Sequence, residues 1–416
     1  MMKFQTPKGT RDLLPEEASK FQNLIKNFKN VAEKYGFKPL ITPAFETFEL
    51  LAAKGGLGES VKNEIYYFKD KSDRELGLRF DMTMPLARVI SSNPQIPKPF
   101  KRYVVDKVWR YDNPQAMRWR EFWQADIDTV GAAGLDADAE IIAFTCEFLK
   151  EIGFEDFKIR ASDRRIIQGF LESIQVSNWK DVTISIDKKE KIGEEKVKEE
   201  LKTKGLNSEQ IKKIFAFLNS DATFAANESF ANALDELKKL KEKVGEYGFG
   251  KYFDIDLSLV RGLEYYTSFV YEVNLGSAVS CGGGGRYDNL IAMVGGNATP
   301  ATGISFGMDR VFEVMKEKKM LDSKSGVEVF VANVNENMKS EAIKISQRLR
   351  KDGVNCQTDL MNRNLTKQLE YADSSGIPFV VIVGERELKN KKVKIRNMKT
   401  KKEKDVLISK IKENLD

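Results

Sequence analysis

The sequence contains no histidine, although it is 416 residues long. This absence excludes Ser-His-Asp triads, histidine general bases and zinc sites with histidine ligands. Catalysis by such a chain must rely on substrate positioning and fixed charge, or on another base. Drift in a lysine-rich composition would explain the same absence without any functional meaning, and composition alone leaves both explanations open.

Cysteine is scarce as well, because Cys146, Cys281 and Cys356 are scattered and form neither a disulfide framework nor a CxxC metal pair. No apolar run approaches the roughly 18 residues of a membrane-spanning helix. The first residues, MMKFQTPKGTRD, lack the apolar core of a signal peptide. We therefore expect a cytoplasmic protein with no membrane partner. The net charge of +6 permits a nucleic-acid partner without requiring one.

Hydrophobic periodicity predicts the elements of the fold. Apolar residues at helical spacing predict a helix over residues 16–35, ended by Gly36, and a strand over 37–41. A further helix is predicted at 138–151, and strands at 66–68, 76–80, 103–109, 122–128, 254–260, 268–273 and 277–281. Because this order is rich in hairpins and poor in βαβ units, we predict an α+β fold with a mainly antiparallel sheet flanked by helices.

Two other regions differ in composition from this sheet. Residues 186–248 are highly charged with helical spacing, which predicts a helical insertion. After a linker near 316–326, predicted strands and helices alternate along the chain. The strands are at 327–331, 356–359 and 379–383, and the helices at 338–350 and 365–372. A final helix is predicted with Leu407, Ile408, Ile411 and Leu415 on one face. We expect a core formed by residues 1–170 and 249–320, an insertion over 171–248 and a C-terminal α/β domain over 327–416.

The segment Trp109–Asp128 is the most informative part of the chain. Two predicted strands are joined by the turn Asp112-Asn113-Pro114-Gln115. The polar side chains of the segment include Arg110, Arg118, Arg120, Gln124 and Asp128, beside Phe122. Guanidinium groups bind phosphate or carboxylate bidentately and keep their charge. We expect this hairpin to clamp a small zwitterion beside a polyphosphate; a surface hairpin with salt bridges is the alternative.

Two segments carry candidate substrate ligands. Asp81 and Thr83 follow the predicted strand 76–80, and strand alternation would put both on one face, where they could hold an ammonium group. A structural cap is the alternative. Arg261-Gly262 precedes Tyr265-Tyr266, which suggests close backbone approach beside an inward arginine and tyrosine hydroxyls facing a polar substrate. The alternative there is an ordinary strand end with a surface arginine and core tyrosines.

Glycine and arginine mark two further segments. Residues 282–285 are consecutive glycines, and in a strand these indicate that another backbone or a ligand lies against them. A flexible turn is the alternative. The GxxxxGK[ST] pattern of a P-loop is absent from the chain. Residues 301–310 run from a small-residue strand into a helix at 311–315, where Arg310 would meet an anion. A solvated arginine paired with Asp309 is the alternative.

Together these segments resemble class II aminoacyl-tRNA synthetases, and within that class the histidyl-tRNA synthetases of the archaeal or eukaryotic kind. The resemblance runs nearly from end to end, through KGTRD at 8–12, LRFDMTMPLAR at 78–88, the hairpin at 110–128, RGLEYYT at 261–267, GGGRYD at 283–288, GISFGMDR at 303–310 and KQLEYAD at 367–373. It implies a class II antiparallel sheet with a C-terminal anticodon-binding domain. The unit of helix, strand and Pro43 resembles the family's dimer interface, which implies a homodimer.

The resemblance also implies a reaction and its residues. Such an enzyme forms histidyl-AMP from histidine and ATP, with Mg²⁺ as the nucleotide complex, and transfers histidine to the 3′ end of the histidine tRNA. The histidine ligands would be Asp81, Thr83 and Gln124 for the amino group, Asp128 with Tyr265 and Tyr266 for the imidazole, and Arg110 with Arg261 for the carboxylate.

The same resemblance assigns the ATP and tRNA contacts. Arg110 and Arg261 would be the catalytic residues at the α-phosphate, with Arg261 standing where other class II enzymes use a metal ion. Arg118 and Arg310 would hold the γ-phosphate, Phe122 would stack on adenine, and Asp112 replaces a glutamate common in relatives. Gln115 would lie near the tRNA acceptor end. Whether the protein itself binds a metal ion is left open.

A basic strand is predicted in the C-terminal domain. Ten basic and three acidic residues lie between Glu385 and Lys404. Lys392, Lys394 and Arg396 would share one face of this strand, with Val393 and Ile395 on the other. A solvated face is the usual explanation for such a pattern. Because the domain resembles an anticodon-binding module, we expect these three residues to contact RNA phosphates.

Two non-catalytic alternatives remain. One is a synthetase-like regulatory subunit of histidine biosynthesis, which typically lacks the anticodon-binding domain and has degraded arginine positions. The other is a synthetase-like RNA sensor, normally fused to a kinase, and the 416 residues contain no kinase segment. The intact arginine positions and the predicted C-terminal domain favour the enzyme.

Overall fold

The computed structural model describes residues 4–53, 64–219, 227–260, 265–276, 280–321 and 326–415. The chain divides into two compact units, one comprising Met1–Asp12 and Phe21–Met320, the other Leu13–Lys20 and Leu321–Asp416. Both units combine helices with a sheet, so the predicted α+β class is confirmed. No helix of the described ranges is long and apolar enough to cross a membrane.

The larger unit is built on antiparallel strands. They are β1 (Lys38–Pro39), β2 (Phe45–Thr47), β3 (Tyr67–Lys69), β4 (Glu75–Leu78), β5 (Phe100–Trp109), β6 (Glu121–Val130), β7 (Lys158–Asp163), β8 (Phe253–Ile255), β9 (Phe269–Asn274), β10 (Gly282–Arg286) and β11 (Ala301–Gly307). Over the described residues, eight of them form a sheet in the order β1-β5-β6-β11-β10-β9-β7-β8, with parallel pairs only at its two ends. The other three form a small antiparallel sheet, β2-β4-β3.

Helices pack around this sheet. They are α1 (Pro15–Lys34), α2 (Phe48–Ala52), α3 (Thr83–Ser92), α4 (Leu135–Glu151), α5 (Arg164–Ser173), α6 (Trp179–Asp187), α7 (Lys189–Ile192), α8 (Glu194–Thr203), α9 (Ser208–Leu218), α10 (Glu228–Glu246), α11 (Leu290–Met293) and α12 (Met308–Glu317). The predicted helices at 16–35 and 138–151 are confirmed. In the core, Phe28 packs edge-on against Phe144 and Phe148, with ring centres 5.2 and 5.1 Å apart. Helices α5–α10 confirm the helical character of the insertion, whose bounds of 171–248 stay a prediction.

Three predicted strands differ from the structure. The strand at 37–41 is reduced to Lys38–Pro39, because Pro39 and Pro43 cannot donate ladder hydrogen bonds. The strand at 254–260 ends at Ile255, because the Asp256 carboxylate binds the Ser258 amide at 2.9 Å and forms a turn. Most of the strand predicted at 277–281 lies outside the described residues, and β10 begins just after it, at Gly282.

The smaller unit is an α/β domain. Its elements are β12 (Val329–Asn333), α13 (Lys339–Lys351), β13 (Cys356–Thr358), α14 (Leu365–Ser374), β14 (Phe379–Val383), α15 (Glu385–Lys389), β15 (Lys392–Asn397) and β16 (Glu403–Leu407). Among the residues described, the sheet order is β13-β12-β14-β15-β16; the first three strands run parallel and the last two pairings are antiparallel. The alternating pattern predicted between residues 327 and 383 is therefore confirmed.

The final helix predicted over 407–415 is wrong. Residues 403–407 pair with β15 as a strand, and 408–410 and 412–414 form single 3₁₀ turns. The buried apolar side chains of this segment are Val406 and Ile411, whereas Leu407 is 42% exposed. Apolar spacing of three to four residues did not distinguish a helix from a strand followed by tight turns, since both bring residues to one core.

Candidate active site

Three polar side chains alternate along β6 and share one face of the sheet: Gln124, Asp126 and Asp128. All three are buried, with exposed fractions of 8%, 3% and 3%. Their partners across the sheet are Asp106, Val104 and Arg102 on β5, and Gly307, Ser305 and Gly303 on β11. Sequence reasoning identified Gln124 and Asp128 but missed Asp126, although the same two-residue alternation was the signal that pointed to it.

Asp128 is held by two neighbouring side chains. Arg102 Nη2 lies 2.7 Å from Asp128 Oδ2 and donates to the Met82 carbonyl at 3.1 Å. The Tyr287 hydroxyl donates to Asp128 Oδ1. Burial raises the pKa of Asp128, and the positive charge of Arg102 opposes that rise. Burial and the Asp128 charge raise the pKa of Tyr287 well above its ordinary value, so this tyrosine stays a hydrogen-bond donor.

Glycines leave the space that the Asp128 carboxylate occupies. A Cβ at Gly303 would lie 2.1 Å from Asp128 Oδ1 and 2.6 Å from the Ile127 carbonyl oxygen. A Cβ at Gly284 would lie 2.0 Å from the Gly303 carbonyl oxygen. Residues 282–285 are thus part of a regular strand between β9 and β11. The prediction that another backbone lies against these glycines is confirmed, and the flexible-turn alternative is wrong.

Asp126 is a buried acid with an unusual pKa. Burial raises the pKa of Asp126 to about 7; Arg102 opposes this rise and the neighbouring Asp128 adds to it. Within the described ranges, Asp126 Oδ1, Gln124 Oε1 and Ser305 Oγ are buried without a hydrogen-bond partner. Such atoms each cost about 1–3 kcal/mol when left unsatisfied. We therefore expect a ligand with hydrogen-bond donors at this position.

Asp81 and Thr83 line the same cavity as the acids of β6, but strand alternation does not explain it. Strand β4 ends at Leu78, and Thr83 is the first residue of α3, so the predicted common strand face is wrong. Asp81 Oδ1 accepts a hydrogen bond from the Met84 amide at 3.1 Å, which caps the first turn of α3. The capping alternative is therefore correct for this oxygen, and both side chains still face the cavity.

The paired tyrosines are buried beside the β6 acids. The rings of Tyr265 and Tyr266 are 4.6 Å apart, and the Tyr265 ring meets Tyr287 edge-on at 5.9 Å. Burial raises the pKa of Tyr265 well above its ordinary value, so its hydroxyl keeps its proton. Arg261 lies outside the described residues, and its role stays a prediction.

Backbone carbonyls orient two of the cavity's arginines. Arg110 Nε donates to the Phe80 carbonyl at 3.0 Å, and its guanidinium lies 5.2 Å from the centre of the Phe122 ring. Arg310 donates to the carbonyls of Met117 and Ser280 at 3.2 and 2.9 Å. The Arg118 guanidinium faces the Asp112 carboxylate at 3.8 Å.

Asp309 connects Arg11 with β6 beside the cavity arginines. Its carboxylate lies 2.9 Å from the Arg11 guanidinium and accepts a hydrogen bond from the Trp123 amide at 2.7 Å. Arg11 also lies 4.0 Å from the centre of the Trp119 ring. The sequence motif KGTRD at 8–12 therefore contributes Arg11 as an anchor between α12 and Trp119, which lies just before β6.

One cavity of about 670 Å³ brings most of the predicted residues together, a volume typical of small-molecule sites. Those that line it are Asp81, Thr83, Arg110, Asp112, Arg118, Phe122, Gln124, Asp128, Tyr265, Tyr266 and Arg310. Gln115 is not among the lining residues; it lies in the hairpin loop, where its backbone bridges that of Arg118. The hairpin forms one wall of this cavity, and it also carries the salt bridges of the alternative, between Lys107 and Glu121 and between Arg118 and Asp112.

The sequence left open whether the protein itself binds a metal ion. Across the part of the chain that the structure describes, no group of three or more acidic or cysteine side chains is arranged to hold a metal ion. Nearby acids are already engaged, as Asp309 is by Arg11 and Asp128 by Arg102.

The basic strand of the smaller unit has the predicted two faces. Val393 and Ile395 are buried, whereas Lys392, Lys394 and Arg396 point away from that core. Glu403 on β16 lies 3.5 Å from Lys394 and 3.0 Å from Arg396. The face is thus partly neutralised within the domain, and Lys392 carries its most exposed charge.

Comparison with known proteins decides the family. The family model described as "Histidyl-tRNA synthetase" matches residues 9–311, and the one described as "Anticodon binding domain" matches residues 328–416. The chain belongs to the histidyl-tRNA synthetase family. Two curated relatives of this synthetase family are the histidine–tRNA ligases of Thermococcus kodakarensis, 37% identical over 98% of this chain and 97% of the relative, and of Clostridium tetani, 38% identical over 94% and 93%.

Solved structures agree with the histidyl-tRNA synthetase family. The histidyl-tRNA synthetase from Nostoc aligns with a TM-score of 0.87 at 33% identity, covering 100% of this chain and 99% of that one. A Bacillus halodurans protein described as an "ATP phosphoribosyltransferase regulatory subunit/histidyl-tRNA synthetase" aligns with a TM-score of 0.77 at 24% identity, covering 92% of this chain and 100% of that one. The second likeness shows the fold alone. The resemblance inferred from the motifs is confirmed.

Proposed function

We propose that this protein is a histidine–tRNA ligase, which forms histidyl-AMP and pyrophosphate from histidine and ATP and then transfers histidine to the 3′ end of the histidine tRNA. One observation carries the proposal: a single cavity unites buried acids and tyrosines with three arginines. Acids and tyrosines suit an imidazole and an ammonium group, and arginines suit a carboxylate and a triphosphate.

The histidine subsite is formed by the acids and tyrosines of the cavity. Asp81, Thr83 and Gln124 bind the ammonium group, and Gln124 Oε1 supports this role because the described residues leave it without a hydrogen-bond partner. Asp128 and the Tyr265-Tyr266 pair read the imidazole. A site built on buried polar groups rejects analogues that lack the matching hydrogen bonds, because those groups would stay unpaired.

The ATP subsite is formed by the arginines. Arg110 bridges the substrate carboxylate and the α-phosphate, and Arg118 and Arg310 bind the γ-phosphate. Phe122 stacks on adenine, and Asp112 orients Arg118. When the carboxylate oxygen attacks the α-phosphorus, negative charge develops on the phosphate oxygens, and preoriented guanidinium groups stabilise it. Such a step needs no protein nucleophile, which suits a chain without histidine. Arg261 is assigned to the same phosphate, and Mg²⁺ arrives with the nucleotide.

Contacts with tRNA come from both units. Gln115, in the loop of the β5–β6 hairpin, contacts the acceptor end. Lys392, Lys394 and Arg396 contact phosphates of the anticodon arm, since phosphate contacts position a nucleic acid without reading its sequence. The protein acts as a cytoplasmic homodimer. A catalytic core over 1–170 and 249–320, a helical insertion over 171–248 and an anticodon-binding domain over 327–416 complete the proposal.

The regulatory-subunit alternative is less favoured. The anticodon-binding family model matches residues 328–416, and Arg110 and Arg310 stand oriented in the cavity. ATP–pyrophosphate exchange with each of the twenty amino acids tests the choice. We expect exchange with histidine alone, and charging of histidine tRNA. Exchange with a different amino acid would overturn the substrate, and no exchange with any would favour a regulatory role.

The catalytic role of Arg110 has its own test. We expect Arg110→Ala to abolish exchange, because the carboxylate and the α-phosphate lose a shared cation. Arg74→Ala is the matched control, since Arg74 is an exposed arginine of the same unit that pairs with Asp70. Exchange at the wild-type rate in Arg110→Ala would remove Arg110 from the mechanism.

A further inference from the structure

The two aspartates of β6 that face the cavity are not equally compensated. Asp128 Oδ2 pairs with Arg102 at 2.7 Å, and Asp128 Oδ1 accepts the Tyr287 hydroxyl. Asp126 stands two residues away on the same face, is 3% exposed and lines the cavity. Its Oδ1 atom is buried without a hydrogen-bond partner in the described structure. Asp128 Oδ2 is also buried without a hydrogen-bond partner, but it forms an ion pair with Arg102. Both acids therefore have an oxygen that can accept a hydrogen bond from a ligand, and Asp126 is the one of the two without an ion pair in the described structure.

The charged groups of the cavity and of the substrate show which partner Asp126 lacks. On the proposed function, Asp81 meets the substrate ammonium and Arg110 meets the substrate carboxylate. Arg102 compensates Asp128. Among the described residues Asp126 forms no ion pair, and Arg102, which is paired with Asp128, acts on it only as a nearby positive charge. A buried charge is costly unless it is paired and hydrogen-bonded. The complementary ligand group is thus a cation that also donates a hydrogen bond.

The spacing of the two aspartates fits an imidazolium ring. Side chains two residues apart on an antiparallel strand are separated by about 6.8 Å. This is close to the separation of two carboxylate oxygens that each accept a hydrogen bond of about 2.8 Å from opposite nitrogens of one ring. Asp128 retains capacity for such a bond, because a carboxylate has about four acceptor positions.

We propose that Asp126 accepts a hydrogen bond from one ring N–H of the bound histidine while Asp128 accepts from the other, so that the site binds the side chain as an imidazolium. This inference rests on the proposed function and makes Asp126 a specificity-determining residue. The binding step transfers one proton and changes no other covalent bond. Above neutral pH this proton is taken up from solvent, and the imidazolium ring then carries a proton on each of its two nitrogens.

The proton requirement predicts a pH dependence. Free imidazole has a pKa of about 6.5, and burial raises the pKa of Asp126 to about 7 in the empty site. Above both values the free partners have lost their protons, so binding must take up one proton. The KM for histidine then rises about tenfold for each pH unit between about 7.5 and 8.5. The groups that face Asp126 are Asp128 on β6, Arg102 on β5, Ser305 on β11 and Asp81 before α3.

The first test is Asp126→Asn in ATP–pyrophosphate exchange. At pH 7.5 we expect the KM for histidine to rise about 10- to 100-fold, the range for losing a hydrogen bond to a charged group, while the KM for ATP stays within about twofold. The steep pH dependence of the histidine KM should disappear in the variant. Titration of the substrate ammonium affects both proteins alike, so the comparison isolates Asp126. Asp136→Asn, an exposed acid paired with Lys243, is the control that should behave as wild type.

The second test reads the charge of the ligand. 2-Fluorohistidine keeps the shape of histidine, but its ring protonates only in strong acid. Wild type should discriminate strongly against it, and Asp126→Asn should discriminate less. Histidine with ¹⁵N-labelled ring nitrogens, bound to wild type at pH 8, should give the two similar nitrogen shifts of an imidazolium.

The outcomes separate the two levels of inference. No exchange by wild type with histidine would defeat the proposed function itself. Exchange by wild type, combined with equal use of 2-fluorohistidine or with the shifts of a neutral ring tautomer, would overturn the imidazolium proposal alone. An Asp126→Asn variant with an unchanged KM for histidine and an unchanged pH dependence would do the same.

Discussion

Asp126→Asn also changes the stability of the ligand-free protein, and in the opposite direction to its effect on activity. Burial raises the pKa of Asp126 from the ordinary 3.8 to about 7. Between these values the folded protein holds a proton that the unfolded chain has lost, so stability falls as the pH rises through this window. At about 1.4 kcal/mol per pKa unit, the loss amounts to about 4 kcal/mol once the pH exceeds 7.

Asparagine at this position has nearly the same shape and cannot ionise. The variant should therefore escape the loss, and its free energy of unfolding should exceed that of wild type by up to about 4 kcal/mol at pH 8. The difference should shrink steadily as the pH falls toward 4 and vanish below about pH 3, where the wild-type carboxyl is protonated in both states. An unfolding entropy of about 2.1 cal/mol/K per residue makes each kcal/mol worth about 1.5 °C of Tm in a unit of this size, so we expect Tm to rise by up to about 6 °C at pH 8.

Scanning calorimetry at pH 5, 6, 7 and 8, without histidine or ATP, measures this difference. The relevant transition is the one that added histidine shifts upward, because a ligand stabilises the unit that binds it. Asp136→Asn serves again as the control, since the Asp136 carboxylate is 81% exposed and should leave Tm nearly unchanged at every pH. Equal Tm values for Asp126→Asn and wild type at pH 8, or a difference that does not vary with pH, would refute the reasoning.

Three other substitutions probe the site and the tRNA surface. Gly303→Ala places a methyl group 2.1 Å from Asp128 Oδ1, so exchange with histidine should fall at least about 100-fold, with about 1–3 kcal/mol of destabilisation; an unchanged KM for histidine would contradict this. Tyr287→Phe removes the donor to Asp128 and should raise the KM for histidine about tenfold without affecting that for ATP. The triple alanine variant of Lys392, Lys394 and Arg396 should lower tRNA charging at least about tenfold, with a weaker salt dependence and normal exchange; equal salt slopes would exclude the surface.

Local patterns predicted much of the fold. Strands β5 and β6 were identified because their apolar and polar residues alternate and a proline-containing turn separates them. The four glycines indicated that a backbone or a ligand lies close by, because glycines in a strand give up side-chain packing, although the predicted strand ended at Cys281. The final helix failed because the apolar spacing of 407–415 suits a strand and two turns equally well. Thr83 was misplaced because the sequence does not mark the change from strand to helix between Leu78 and Thr83.

The candidate site was predictable to the extent that its residues lie in recognisable segments. Asp81, Gln124 and Asp128 were found in this way. Arg102 was not, because its role comes from the register that sets it opposite Asp128 across β5 and β6. A one-residue change of register would turn it to the other face. Such pairings depend on long-range strand order, which a local pattern does not contain.

The absence of histidine acquires a chemical meaning at this site. Near neutral pH, the raised pKa values of Tyr265 and Tyr287 keep the protons on both tyrosine hydroxyls. Histidine is the side chain that ordinarily titrates in this range. In this cavity burial gives that property to Asp126, with a pKa of about 7. A protein histidine there would add positive charge beside an imidazolium ligand and compete for the same acids. Because the chain supplies no imidazole of its own, no histidine side chain of the protein competes with the ring of the substrate for the acids of β6.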